Sequence, residues 1–321
     1  MKEDKINEEL KEFLERAFNQ KIVDIQEISG GWLTEKWKVQ FKELSIMLKI
    51  IEHKKIIRRD INIELAANLL KTAYDFGIKC PCIYKINDKL INYNENNNPI
   101  VVIEYLEGTF LKDHTNINNE DIFLIGAEIA KMRKCFNEIS IKQKIDYYEL
   151  IQRMYKEYDK RLKEGKNEYY VQDVLKQKRI LDVLDYNFFE NLEIGYCHGD
   201  LSQDNILFDK NGFKALVDFE IANVSFILRD VARIFFTFCL DNNGQINKEL
   251  LINLVEGYNS ISKLTIEDLI NGIKILWCLE VGLWIKEAYY IDNTPEKVKK
   301  FMFEINWITD NWFDLENIIK I

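Results

Sequence analysis

The sequence predicts an α+β chain in two parts, a small β-rich part followed by a larger, mostly helical one. Three observations carry this expectation. Strand-like apolar runs broken by Gly or Asn clusters fill the first third of the chain. Beyond about residue 120 the apolar residues recur with helical spacing. One hairpin signature, NILFDKNGFKALVDF at 205–219, interrupts that helical part. The division falls at 1–105 and 106–321. No Pro- or Ser-rich linker marks it, so a hinge is expected there and not a tether.

The elements follow in order. Over 5–18, Ile6, Leu10, Phe13, Leu14 and Ala17 share one helix face. KIVDIQEI (21–28), WKVQF (37–41) and SIMLKII (45–51) read as an antiparallel meander, with Ser29-Gly30-Gly31 breaking its first two strands. The charge run HKKIIRRD (53–60) reads as a solvated face. Ala66, Leu69, Leu70 and Ala73 stand at 0, 3, 4 and 7 in a helix over 60–74. The polar turn NYNENNN (92–98) separates two further strands, the second within PIVVIEYLEG. Ile122, Ile125, Ile129, Met132 and Phe136 then form one helix face, and two charged helical stretches over 146–188 break near Gly165. Helices are expected at 229–240, 247–259, 266–290 and 295–318.

Bulk properties narrow the function. A chain of 321 residues lies near the size at which one core splits in two. The formal net charge is −9 and no basic face dominates, which speaks against nucleic acid and suits a cationic small substrate. Of the six cysteines only Cys80 and Cys82 are close, and Cys-Pro-Cys lacks the spacing of a zinc site, so reduced thiols of a cytoplasmic protein are expected. The charged N-terminal stretch is no signal peptide, and no apolar run approaches the ~20 residues of a membrane span.

The stretch HGDLSQDN (198–205) gathers a His, two Asp and an Asn directly before the hairpin. If Asn211-Gly212 is the turn, Asn205 faces Asp218 across the two strands, and the two oxygen-bearing side chains suit a hard cation such as Mg²⁺. A four-residue loop at 209–212 would instead oppose Asn205 to Leu216. Asp200, five residues before Asn205, could accept the proton of an attacking hydroxyl; taken alone it reads better as a loop-capping carboxylate, and Asn205 and Asp218 at these spacings favour the catalytic role.

HGDLSQDNILFD, followed by LVDFE, resembles the aminoglycoside phosphotransferase and choline kinase-like superfamily, which shares the protein-kinase fold. The resemblance covers roughly residues 20–290 and implies a two-lobed fold with Asp200 as catalytic base and Asn205 and Asp218 at the metal. Asp230, in LRDVARI, would brace the catalytic loop, with His198 a structural member of that loop. GGWLTEKWKV looks like the nucleotide loop, with Gly30 and Gly31 at the phosphates, and MLKI supplies Lys49 for the phosphates. IELAANLL supplies Glu64 to pair with it. IEYLEG looks like the hinge, where backbone groups of Glu104, Tyr105 and Leu106 would meet the purine of ATP or GTP. The pattern also departs from the protein kinases. The glycine loop has two glycines, not three. Glu220 replaces the glycine after Asp218-Phe219, and no activation-loop motif follows, so a small substrate is expected in place of a protein.

For that substrate, Trp277 and Trp284 share a helix face, as do Glu280 and Glu287, a spacing that could cage a cation; packed core and solvated acids are the simpler explanation of it. The resemblance favours an aminoglycoside-type acceptor, with an antibiotic-resistance role. Choline, ethanolamine, homoserine-type and sugar acceptors stay open, as does a non-catalytic relative such as the kinase-like spore-coat proteins.

Overall fold

The computed structural model describes residues 6–28, 34–59, 61–111, 116–141, 145–291 and 294–320. The chain forms two compact units: Met1–Phe110 with Asp204–Asn223, and Leu111–Gln203 with Val224–Ile321.

The first unit is built on helix α1 (Glu8–Phe18) and strands β1 (Ile22–Ile28), β2 (Thr34–Phe41) and β3 (Ser45–Ile51), followed by helices α2 (His53–Arg59) and α3 (Ile63–Asp75) and strands β4 (Ile91–Tyr93) and β5 (Pro99–Glu104). The five strands form an antiparallel sheet in the order β1-β2-β3-β5-β4. Asn7 starts α1 by accepting the Leu10 N–H at 2.9 Å, and Asn19 ends it in the left-handed region at φ 49. Strand periodicity then sorts the residues. Trp37, Val39 and Phe41 of β2, Ile46 and Leu48 of β3, and Ile100 and Val102 of β5 are buried in one core with Leu10 and Leu14 of α1. The intervening positions include Lys36 and Lys49, which stand directly opposite each other across β2 and β3.

The segment 204–223 contributes a hairpin, β7 (Ile206–Asp209) and β8 (Gly212–Leu216), numbered after strand β6 (Ile194–Cys197) of the second unit. The hairpin is fastened to the first unit by backbone bonds: Leu216 N–H donates to the Lys79 carbonyl (2.8 Å), and Thr109 and Phe208 exchange bonds at 2.8 and 2.9 Å. A single cut at 105/106 therefore misplaces residues 106–110 and this hairpin, whose unpaired backbone groups find their partners in the first unit.

The second unit contains α4 (Asn119–Asn137), α5 (Tyr147–Glu164), α6 (Glu168–Leu181), α7 (Asn187–Glu190) and β6, which pairs with β9 (Asn223–Phe226). Helices α8 (Leu228–Ile234), α9 (Lys248–Asn259), α10 (Ile266–Trp284), α11 (Glu296–Asn311) and α12 (Leu315–Ile318) follow. Helices α4 and α9 cross backbone to backbone: a Cβ at Gly126 would overlap the Leu254 carbonyl, and one at Gly257 the backbone of Phe123. A capping box between Thr265 and Asp268 starts α10. The helices expected over 266–290 and 295–318 are shorter: α10 stops at Trp284, and α11 and α12 are separated at Trp312–Asp314. Among the described residues no helix is long and apolar enough to cross a membrane.

Candidate active site

In the first unit the charges of the β2–β3 surface converge on Asp218. This residue follows β8 with φ 70, a left-handed backbone unusual for a non-glycine residue. Its Oδ1 lies 2.9 Å from Lys49 Nζ and its Oδ2 2.8 Å from Lys36 Nζ. Lys49 Nζ is also 2.7 Å from Glu220 Oε1, and its residue is only 4% exposed, so both anions act on a desolvated cation. Burial opposes the charge on Asp218, but Lys49 and Lys36 outweigh it and hold the carboxyl well below the usual carboxylate range. Burial likewise works against Lys49, and Asp218 and Glu220 outweigh it, keeping the lysine charged. Glu220 goes the other way: burial and the neighbouring Asp218 push its carboxyl up more than the lysines bring it down.

The hairpin register differs from the expected one. Asp209 and Gly212 close a loop of Lys210 and Asn211, and the Asp209 side chain accepts the Asn211 N–H at 2.8 Å. Gly212 takes φ 99 there. Phe208 then pairs with Phe213, but Leu207 pairs with Ala215, so Lys214 is bulged out and the ladder shifts. Ile206 stands opposite Leu216, and the Val217 N–H donates to the Asn205 carbonyl at 2.9 Å. Asn205 thus opposes Val217, and Asp218 lies one position beyond. Asn205 is buried. An ionised carboxylate and an amide oxygen are the hard donors that Mg²⁺ takes while keeping water and phosphate oxygens, so the residues fit such an ion. Among the described residues no three His, Cys, Asp or Glu cluster as a self-sufficient metal cage.

In the second unit the loop after β6 is tied down residue by residue. The buried Asp230 carboxylate of α8 accepts the His198 N–H at 2.8 Å and the Gly199 N–H at 3.0 Å. Gly199 sits at φ 83, which a side chain would strain. His198 is fully buried, and its Nδ1 accepts the Asp200 N–H at 3.3 Å, so that nitrogen carries no proton. Arg229 donates to the Gly199 carbonyl at 3.0 Å and Thr237 to the Leu201 carbonyl at 3.1 Å. Asp200 is half-buried on this fixed backbone.

Other expected site residues are placed differently. Gly30 and Gly31 lie outside the described residues. Glu64 does not meet Lys49. It is exposed in the first turn of α3, off the face that buries Ile63, Ala66 and Leu70, and Glu220 takes its place on the turn just after Asp218. Of Glu104, Tyr105 and Leu106, the first two N–H groups donate to the Cys82 carbonyl (2.8 Å) and the Ser45 carbonyl (3.2 Å), so the purine contact expected of this segment would fall to its carbonyls and the Leu106 N–H. Trp277 is core: it is fully buried, its Nε1 donates to Thr309 at 2.8 Å, and it packs on Trp312. Trp284 stacks on Phe301 at 4.4 Å and donates to Glu280 at 3.0 Å. Glu280 is itself buried against Arg233, which also pairs with Glu304. Glu287 accepts the N–H groups of Lys166 and Asn167 at the start of α6. These four residues form no exposed aromatic cage.

Three charged residues, Lys36 and Glu220 in the first unit and Arg229 in the second, were not singled out from the sequence. Lys36 could have been found from strand alternation once its register with β3 was known. Glu220 was noted only as a departure, and Arg229 carried no signal of its own.

The model of the phosphotransferase enzyme family matches residues 24–262. The chain is 34% identical over 100 residues to the homoserine kinase of Sinorhizobium fredii, an alignment covering 30% of this chain and 31% of that relative's length. It is 26% identical over 294 residues to the homoserine kinase of Bartonella tribocorum, covering 89% of this chain and 87% of that one. Among solved structures, a spectinomycin phosphotransferase in complex with ADP and spectinomycin superposes with a TM-score of 0.64 at 14% identity, covering 96% of this chain and 98% of that chain. The two-unit α+β fold is therefore that of the protein-kinase-like phosphotransferases, and the chain belongs to the phosphotransferase enzyme family.

Proposed function

We propose that this chain is a small-molecule kinase that transfers the γ-phosphoryl group of ATP to a hydroxyl of an amino-bearing acceptor of the homoserine type. The observation that carries the reading is the pairing of ionised Asp218 with buried Lys49 on the hairpin segment that begins four residues after Asp200. In this reading the acceptor oxygen bonds to the γ-phosphorus while the bond to the β–γ bridging oxygen breaks, and Asp200 takes the hydroxyl proton. The loop bonds from Asp230, Arg229 and Thr237 hold Asp200 at the reacting hydroxyl. Asn205 and Asp218 would hold Mg²⁺, which when bound neutralises charge on the phosphates. Lys49, kept in place by Glu220, contacts the phosphates.

ATP is chosen over GTP because the spectinomycin phosphotransferase structure contains ADP. The homoserine-type acceptor rests on the sequence relatives, whose identity exceeds that of the structural ones. It is supported by Arg229, whose guanidinium donates to the Gly199 carbonyl next to Asp200, a cation that suits the carboxylate of such an acceptor. An aminoglycoside acceptor, the first expectation from the motif, is the reading to set against it.

The test incubates the protein with ATP, Mg²⁺ and, separately, homoserine, choline, ethanolamine, spectinomycin and kanamycin, and identifies phosphorylated products by mass. Phosphohomoserine is expected. Asp200→Asn should lose about 10²-fold or more in turnover. Product from an aminoglycoside alone would move the acceptor to that class, and full turnover by Asp200→Asn would remove Asp200 from its role.

A further inference from the structure

We propose that Lys36 is a second phosphate-binding residue, acting beside Lys49 on the nucleotide; this rests on the kinase reading above. Lys36 and Lys49 are register partners on adjacent antiparallel strands, with both ammonium groups brought to one carboxylate. Two like charges directly opposed across a ladder repel each other unless an anion lies between them. Asp218 is that anion here, with one oxygen on each lysine.

The partners of the two lysines are unequal. Lys49 has Glu220 as well as Asp218, at 2.7 Å and 2.9 Å. Lys36 has Asp218 as its one recorded ion-pair partner among the described residues. Once the Asp218 oxygens turn to a divalent cation, Lys49 keeps its 2.7 Å contact with Glu220 and its position, and Lys36 loses its direct ion pair and keeps only the longer-range attraction of Glu220. Its side chain is only 13% exposed, so solvent cannot fully replace that anion. The charges that arrive with the cation are the phosphates of the nucleotide, and a lysine on a flexible stem is suited to follow them. Lys36 therefore changes partners, from Asp218 in the free protein to the β- and γ-phosphates in the loaded one. A purely structural Lys36 would brace Asp218 in both states and would not respond to the number of phosphates.

The test measures binding, not turnover. Dissociation constants of ATP, ADP and AMP, each with Mg²⁺, are taken by titration calorimetry for the wild type, Lys36→Met and Lys36→Arg. A cooperative urea transition checks that each variant is folded, with Lys36→Gln replacing Lys36→Met if the latter is not. Lys36→Met should weaken ATP by about tenfold or more, the scale of one charge-assisted contact. ADP should weaken less and AMP within twofold, and Lys36→Arg should recover most of the loss. An equal loss for all three nucleotides, or none for ATP, overturns the proposal and leaves the kinase reading standing. A wild-type protein that does not bind ATP with Mg²⁺ ends both.

Discussion

Replacing Asp230 by Asn tests how the fold delivers Asp200. The change is nearly isosteric and touches none of the reacting atoms. In the wild type both carboxylate oxygens are used, one for the His198 N–H at 2.8 Å and one for the Gly199 N–H at 3.0 Å. Asparagine keeps one acceptor and turns an N–H₂ group toward the other N–H. One charge-assisted bond is lost and a buried donor is stranded, which together cost about 2–3 kcal/mol. The site is 3% exposed, so water cannot repair the loss. The loop can recover part of that energy only by moving, and a shift of about 1 Å at a reacting group costs on the order of 10²-fold in rate. The variant should therefore lose about 10- to 100-fold in turnover and about 2–3 kcal/mol in urea unfolding, with the KM for ATP changed by less than about threefold. Steady-state assays and urea titrations on the same preparation check this. If both turnover and stability stay within twofold and about 0.5 kcal/mol of wild type, Asp230 does not hold the loop, and the positioning argument fails.

Other perturbations bear on separate parts of the structure. Glu64→Gln should leave the KM for ATP within twofold, whereas Glu220→Gln should raise it by about tenfold (about 1.4 kcal/mol), because Lys49 pairs with Glu220; the reverse order in steady-state assays would restore Glu64 as the partner. Arg233→Met strands the buried carboxylates of Glu280 and Glu304 and should cost about 3–5 kcal/mol at pH 7. Burial already holds the Glu304 carboxyl above its ordinary range, against the pull of Arg233. Such a group contributes its stability below the unfolded carboxylate pKa and loses it as pH rises through the folded one, and removing Arg233 raises the folded one further. The deficit of Arg233→Met should thus shrink between pH 7 and pH 5 in urea titrations, and an equal deficit at both would count against this account. Gly257→Ala drives a methyl into the Phe123 backbone, which cannot turn away as a side chain would, and should lower stability by about 1–3 kcal/mol. An unchanged urea midpoint would mean the α4–α9 crossing is not as close as described.

What the sequence determined by itself was local. Apolar periodicity placed β3 at 45–51 and the helices α4, α5, α6 and α9, and the family resemblance carried by HGDLSQDN, LVDFE and LRDVARI marked the candidate catalytic segment with His198, Asp200, Asn205, Asp218 and Asp230, because these signals are local stretches of chain. The tertiary structure decided the partners. Lys49 lies 169 residues from Asp218 and 171 from Glu220 (220 − 49), and no periodicity shows which of Glu64 and Glu220 reaches a buried cation. The turn closes over Lys210-Asn211, one residue earlier than expected, which alone would oppose Asn205 to Leu216, and the bulge at Lys214 returns it to Val217, since ladder pairing depends on where the turn falls and where an extra residue is accommodated and not only on the turn dipeptide. Trp277 and Trp284 share a helix face in the sequence, but Trp312 and Phe301 cover them, and only packing between distant segments turns such a face into core. Spacing along the chain fixes which groups can be neighbours on one element; burial and long-range charge pairing fix which neighbours they have.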